Sequence, residues 1–208
     1  MGGGIMKKHI KRIFFLSALV AAVWFGGLLA DSHQLSEDIL RLHVVANSDS
    51  EEDQAVKLQV RDAVLATLEQ GMRDLQDADQ AIAYVQTMLP KLTEAANQVL
   101  AQAGFSETAT VSLGTEEFPL REYDTFSLPS GIYNSLRVII GDGEGHNWWC
   151  VVYPQLCVPA TSEEFVEAAS VDGMSDSLSG ALSGDYEIRF WLLDQLGKIG
   201  NFLHRDSE

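Results

Sequence analysis

Apolar positions recur along this chain with two periods, every second residue or every third to fourth, and each change of period marks an element. Residues 39–46 alternate, with Leu40, Leu42 and Val44 on one face and Arg41, His43 and Val45 on the other, and predict a strand. From 51 to about 70 the spacing becomes a helical stripe of Val56, Val60, Ala63, Val64 and Leu68. Ser48 and Glu51 have the spacing of a capping box, and Glu51, Glu52 and Asp53 suit the positive end of a helix dipole. Asp53 and Lys57 are expected to pair on the outer face. Asp77 and Gln80 signal a second start. The stripe of Ile82, Val85 and Leu89 meets Pro90, expected to kink or restart the helix, then continues through Leu92, Ala95, Ala96, Val99 and Leu100. Gly104 is the C′ candidate that ends it. Residues 107–113 alternate again, with Ala109, Val111 and Leu113 inward and Thr108, Thr110 and Ser112 outward. Residues 116–128 have no clean period, and Leu128-Pro129-Ser130-Gly131 reads as a turn.

Residues 136–154 carry two β-rich runs around a Gly-punctuated polar connection, a pattern that predicts a hairpin with a longer loop. Leu136, Val138 and Ile140 share one face of the first run, and Trp148, Cys150 and Val152 one face of the second. Ile139, Trp149, Val151 and Tyr153 lie opposite. With both faces apolar, this pair must be covered on both sides or present an aromatic patch to a partner. Beyond it, 163–170 reads as a short helix, 172–185 as a Ser- and Gly-rich flexible loop, and 186–197 as an amphipathic helix ending at Gly197. The expected fold class is α+β: a mixed or antiparallel sheet of about four strands covered by amphipathic helices, two helical segments lying on one face. Strand order is left open by these patterns.

Composition adds an address and an electrostatic character. Lys7, Lys8, Lys11 and Arg12 precede an uncharged apolar run at 13–30, so residues 1–30 read as a signal peptide or an N-terminal membrane anchor. Residues 31–38 read as a tether, and 39–208 as a single domain long enough to bury its own core. After Ala30 there are thirty acidic and ten basic residues, a formal charge of −20. That excess argues against nucleic acid or an anionic membrane as the main partner, with membrane contact confined to the N-terminal segment. An exported domain gives its two cysteines, Cys150 and Cys157, the option of a local disulfide, which the sequence leaves open.

Candidate chemistry is sparse. The acidic stretch 47–53 resembles a cation loop, but Glu52 and Leu58 stand where a calcium loop of the helix-loop-helix kind needs Gly and Glu. Asp142, Glu144, His146 and Asn147, with Cys150 beyond, are the only concentrated polar group. Cys150 within a strand of an acidic domain lacks the electropositive setting of a nucleophilic thiolate, and His146, Cys150 and Cys157 make a weak zinc set. Asp142 and Glu144, flanked by glycines, suit turn chemistry better than the acid–base pair of a wall-cleaving glycosidase. No catalytic residue, metal site or cofactor is expected. Gly141, Gly143 and Gly145 lead through His146 and Asn147 to two adjacent tryptophans, the residue type enriched at binding hot spots.

Residues 40–54, Lys57, residues 60–64, Leu136-Arg-Val-Ile-Ile-Gly141 and Gly145-His-Asn-Trp-Trp-Cys-Val-Val-Tyr-Pro154 with Leu156-Cys157 closely resemble the stage II sporulation protein R family of endospore-forming bacteria. The resemblance covers most of 38–158 and the terminal amphipathic stretch, but neither 172–185 nor the opening five residues. It implies a non-enzymatic messenger, exported from the forespore into the space between forespore and mother-cell membranes. There it would switch on a membrane-embedded aspartic protease of the mother cell that processes the precursor of an early mother-cell sigma factor. On that footing His146, Asn147, Trp148 and Trp149, then Asn47 and Asp49, are the expected partner-binding residues. The rival expectation is a secreted peptidoglycan hydrolase.

Overall fold

The computed structural model describes residues 3–122 and 127–154, together with 194, 195 and 198. Their elements are α1 (Gly3–Glu37), β1 (Leu40–Val45), α2 (Glu51–Met72), α3 (Ala78–Gln102), β2 (Ala109–Phe118), β3 (Arg121–Glu122), β4 (Ser127–Leu128), β5 (Gly131–Ile140) and β6 (Asn147–Tyr153). Four strands form one sheet in the order β2-β5-β1-β6, and β3 pairs with β4 in a small second sheet. β1 runs parallel to β5 and antiparallel to β6, while β2 is antiparallel to β5. The fold is α+β, with a mixed four-stranded sheet.

The expected hairpin is not there. β5 and β6 do not pair with each other; β1 lies between them, with Leu42 opposite both Leu136 and Cys150 and Val44 opposite both Val138 and Trp148. The connection at 141–146 is six residues long, enough to arch over the end of one strand and descend two strand spacings, roughly 10 Å, away. Alternation fixes which face a side chain takes but not which strand lies beside it, so the faces match expectation and the pairing does not.

Leu40, Leu42, Val44, Leu136, Val138, Ile140, Cys150, Val152 and Ala109 form one buried face of the sheet. Val56, Val60, Val64 and Leu68 of α2 and Val85, Leu92, Ala96 and Leu100 of α3 close over it. Each fully buried Val or Leu contributes about 1.5–3 kcal/mol relative to exposure, so this face supplies most of the fold's driving force. All six residues of β1 are buried, as befits a central strand covered on both sides. On its second face the Arg41 guanidinium is fully buried, 4.0 Å over the Phe118 ring and 5.0 Å from that of Tyr133.

Helix ends follow local chemistry, with one shift. α2 is capped by Ser50, whose hydroxyl accepts from the Asp53 N–H at 3.1 Å, two residues later than the expected box at Ser48. Ser48 donates its hydroxyl to the Asp53 carboxylate instead. Asp53 and Lys57 are buried, not an outer-face pair, because both turn toward the strand ends beside α2. Asp77 caps α3, accepting from the Gln80 N–H at 2.8 Å. α3 runs unbroken through Pro90. It ends at Gly104, φ +81°, with Phe105 N–H donating to the Leu100 carbonyl and Gly104 N–H to that of Ala101. β2 extends to Phe118, beyond the expected 113, and β3 and β4 occupy part of the stretch that lacked a period.

At the far end, Asp194 and Gln195 are helical, inside the helix expected at 186–197. Asp194 is buried and accepts the Ser130 hydroxyl at 2.8 Å, while Lys198 reaches it at 2.6 Å. The rest of that helix, the expected helix at 163–170 and the loop at 172–185 lie outside the described residues. Among the described residues no helix is long and apolar enough to cross a membrane. Side chains at 21, 25 and 28–30 of α1 are not described, so the reading of 1–30 as an address stands on its sequence.

Candidate functional site

The chain leaving β1 and the loop entering β6 are bonded into one corner. Gly145 N–H donates to the Ala46 carbonyl at 2.9 Å and Glu144 N–H to that of Asn47 at 3.1 Å, so the loop extends the β1 ladder past its last residue. Asn47 uses its whole side chain: Oδ1 accepts the Asp142 N–H at 3.0 Å and Nδ2 donates to Asp53 at 3.1 Å. The crossing is tight enough that a Cβ on Gly145 would stand 2.2 Å from the Ser48 carbonyl oxygen. Gly141 turns the chain out of β5 with φ +57°, a conformation suited to glycine.

α2 anchors this corner from below. Lys57 Nζ donates to the His146 carbonyl at 2.9 Å and to Gln54 Oε1 at 2.6 Å, and Gln54 Nε2 donates to the Ser48 carbonyl at 2.9 Å. Burial pushes the Lys57 amine below its ordinary range, against the opposing charge of Asp49. The Ser48 hydroxyl holds the Asp53 carboxyl below its usual range; burial works the other way, and hydrogen bonds from Asn47 and Ser50 add to the lowering. On the rim, Asp49 accepts the His146 backbone N–H at 2.6 Å and meets its imidazole Nδ1. That side-chain bond, then the backbone one, lowers the Asp49 carboxyl.

Four of the six residues expected to bind a partner, Asn47, Asp49, His146 and Asn147, are therefore brought together from distant segments, Asp49 and His146 being 97 residues apart. Asn47 is half-buried and knitted in; Asp49, His146 and Asn147 are exposed. The tryptophans part company, being consecutive residues of a strand. Trp148 packs at the edge of the helix-covered core with the Arg61 guanidinium 4.3 Å over its ring. Trp149 takes the opposite face, 4.6 Å from the His43 ring, 5.3 Å from Phe118 and 4.7 Å beneath the Arg121 guanidinium. Both are half-buried, and neither indole N–H has a hydrogen-bond partner among the described residues. Cys150 is disulfide-bonded and faces the core; Cys157, the other cysteine of the chain, lies outside the described residues.

Sequence reasoning missed a network behind Trp149. His43 Nδ1 lies 3.0 Å from Glu116, His43 Nε2 lies 2.9 Å from Asn147 Oδ1, Ser135 Oγ donates to Glu116 at 2.6 Å, and Arg137 Nε stands 3.2 Å from the same carboxylate. Burial raises the Glu116 carboxyl, but the bonds from His43 and Ser135 and the charges of His43 and Arg137 outweigh it, so the net shift is downward. The signal was present: continuing the outward parity of Ser112 by two steps reaches Glu116. A Ser, a His and an acid here invite comparison with a hydrolytic triad, yet both Ser135 and His43 bond the carboxylate rather than each other. A Ser–His triad requires the serine hydroxyl on an imidazole nitrogen. This arrangement braces β1, β2, β5 and β6 together.

The fold is thus a small α+β domain with an exposed corner assembled from two distant segments, most of whose polar groups are spent on internal bonds. The chain belongs to the Stage II sporulation protein R family, which it matches over residues 36–163, and is thus a sporulation-related protein. It is 29% identical over 160 residues to Stage II sporulation protein R of Bacillus subtilis (strain 168), a match covering 73% of this chain and 71% of that protein. The family match runs from the last turn of α1, a helix that continues through Glu37 across the stretch expected as a tether, past β6, and takes in both halves of the corner. No solved structure matches.

Proposed function

We propose that the protein is a non-enzymatic, exported signal of sporulation that acts between the forespore and mother-cell membranes, switching on a membrane-embedded aspartic protease of the mother cell that processes a sigma-factor precursor. One observation carries this reading: the two segments with the family resemblance meet at one corner, leaving Asp49, His146 and Asn147 exposed on a braced base. A preformed surface of this kind loses little entropy on binding. The apolar run at 13–30 supports export, and the formal charge of −20 beyond it suits an aqueous compartment. Activation would follow from binding the protease's active state more tightly than its resting one.

The test is reconstitution of the chain with vesicles that carry the protease and the sigma precursor. Wild-type chain on the outer face is expected to start processing without any other forespore protein. The double variant Asp49→Ala, His146→Ala removes an exposed pair that adds little stability, so its melting temperature should stay close to wild type. Processing should fall about tenfold or more, the size expected for a contact residue of moderate weight. Undiminished processing by a folded variant would remove the corner from the proposal. Release of peptidoglycan fragments, lost in Asp142→Asn, Glu144→Gln, would replace the messenger reading with a hydrolase.

A further inference from the structure

Beyond Ala109, the outer edge of β2 from Val111 to Thr115 is a row of backbone groups with no partner among the described residues. Ala109 pairs across the sheet with Ile140, yet both of its backbone groups are taken from the other side by Asn97 of α3: Oδ1 accepts the Ala109 N–H at 2.8 Å and Nδ2 donates to its carbonyl at 3.0 Å. Asn97 thus stands where a residue of a further strand would stand. Thr108, one residue earlier, offers its carbonyl to Gly141 N–H on the β5 side, which fixes the phase. In an antiparallel ladder that phase alternates, so the N–H and C=O of Val111, Leu113 and Thr115 also point outward. Among the described residues, none engages these outward groups.

Between Val111 and Thr115 the edge lacks most of the devices that blunt such rows. β2 is ten residues long, pairs with β5 without a register shift, and contains neither Pro nor Lys. Thr110, Ser112, Gly114 and Thr115 are exposed, while Val111 and Leu113 lie half-buried at the margin of the core. Gly114 has no packing reason to be glycine, since a Cβ there would meet nothing within 4 Å.

We propose that this edge receives an extended, basic segment of a partner protein, added as a fifth strand beside β2. Backbone bonds at Val111, Leu113 and Thr115 would supply affinity, and apolar side chains of the segment would fall beside Val111 and Leu113. Charge selects the occupant. β2 has no basic residue and follows Glu107, in a domain of formal charge −20. Lys or Arg in the segment is attracted, whereas a second copy of this chain would bring −20 against −20.

The probe is the peptide Lys-Thr-Lys-Val-Lys-Thr-Lys-Val, with the version bearing Glu in place of each Lys as control, added to the full chain in detergent while amide hydrogen exchange is followed by residue. The basic peptide, at ten times its Kd, is expected to slow exchange at Val111, Leu113 and Thr115 roughly tenfold, and the acidic one to leave it unchanged. Gly114→Lys and, separately, Thr110→Lys should each abolish the slowing in a folded chain, by repelling the basic segment. No slowing, or equal slowing by both peptides, overturns the proposal. Slowing without peptide that grows with protein concentration overturns it in favour of a second copy. Neither the protease nor its precursor is present, so failure here is separate from failure of the signalling reading.

Discussion

A methyl group on Gly145 has nowhere to go. It would meet the Ser48 carbonyl at 2.2 Å and the Ala46 Cβ at 2.9 Å, both held by the β1 ladder and the α2 cap. Gly145→Ala should therefore destabilise the domain by about 1–3 kcal/mol, the usual result of overpacking, read as a lower urea midpoint at unchanged slope. Asp53 makes the corner pH-sensitive. Its folded pKa lies below the ordinary 3.8, so the stability it contributes is complete above that value and drains away as pH falls through the lowered one. Glu116, lowered from 4.5, acts with the same sign over a window that begins slightly higher. Asp53→Asn should flatten the loss of melting temperature below about pH 4 and lower stability near pH 7. A steep acid limb retained in the variant would assign it to other carboxylates. Asp53 and Lys57 were visible in the sequence as an i,i+4 pair. What the sequence could not show is that Lys57 turns instead to a carbonyl 89 residues away.

Among the elements, those with local causes were legible. β1, α2 and α3, the Asp77 cap and the Gly104 terminus follow from spacing and capping chemistry within a few residues. The misread pair, β5 and β6, depends on where β1 inserts, a long-range choice that periodicity does not encode. Pro90 is a case where tertiary context overrides local preference. It lies exposed inside α3, leaving the Gln86 carbonyl without its usual i+4 donor, and the helix continues because Val85, Leu92 and Ala96 on either side are locked into the core. Pro90→Ala should restore that bond and raise stability by about 1–3 kcal/mol, measured by thermal or urea unfolding. A loss instead would mean that α3 needs the bend proline imposes in order to lie along the sheet.

At the scale of the whole molecule, the candidate site was legible as a list of residues but not as a surface. Asn47 and Asp49 could be tied to His146 and Asn147 only by resemblance. The physical link is the six-residue loop crossing the end of β1, and the same strand geometry sends Trp148 and Trp149 apart. Net charge was the plainest global property, and it carries a prediction of its own. Ten basic residues face thirty acidic ones after Ala30. The ion pairs between basic side chains and carboxylates at the described surface, such as Arg73 with Glu69 and Arg61 with Asp62, are of the exposed kind that contributes about 0–1 kcal/mol each. Repulsion among the surplus carboxylates should therefore outweigh local attraction, and because salt screens both, the stronger of the two sets the direction of the response. Raising ionic strength from about 0.01 to 0.5 M, which shortens the screening length from roughly 30 Å to a few ångströms, should raise the melting temperature. A falling melting temperature over that range would mean that the ion pairs, including Arg137 with Glu116 and Lys198 with Asp194, hold more of the fold than the surplus charge opposes.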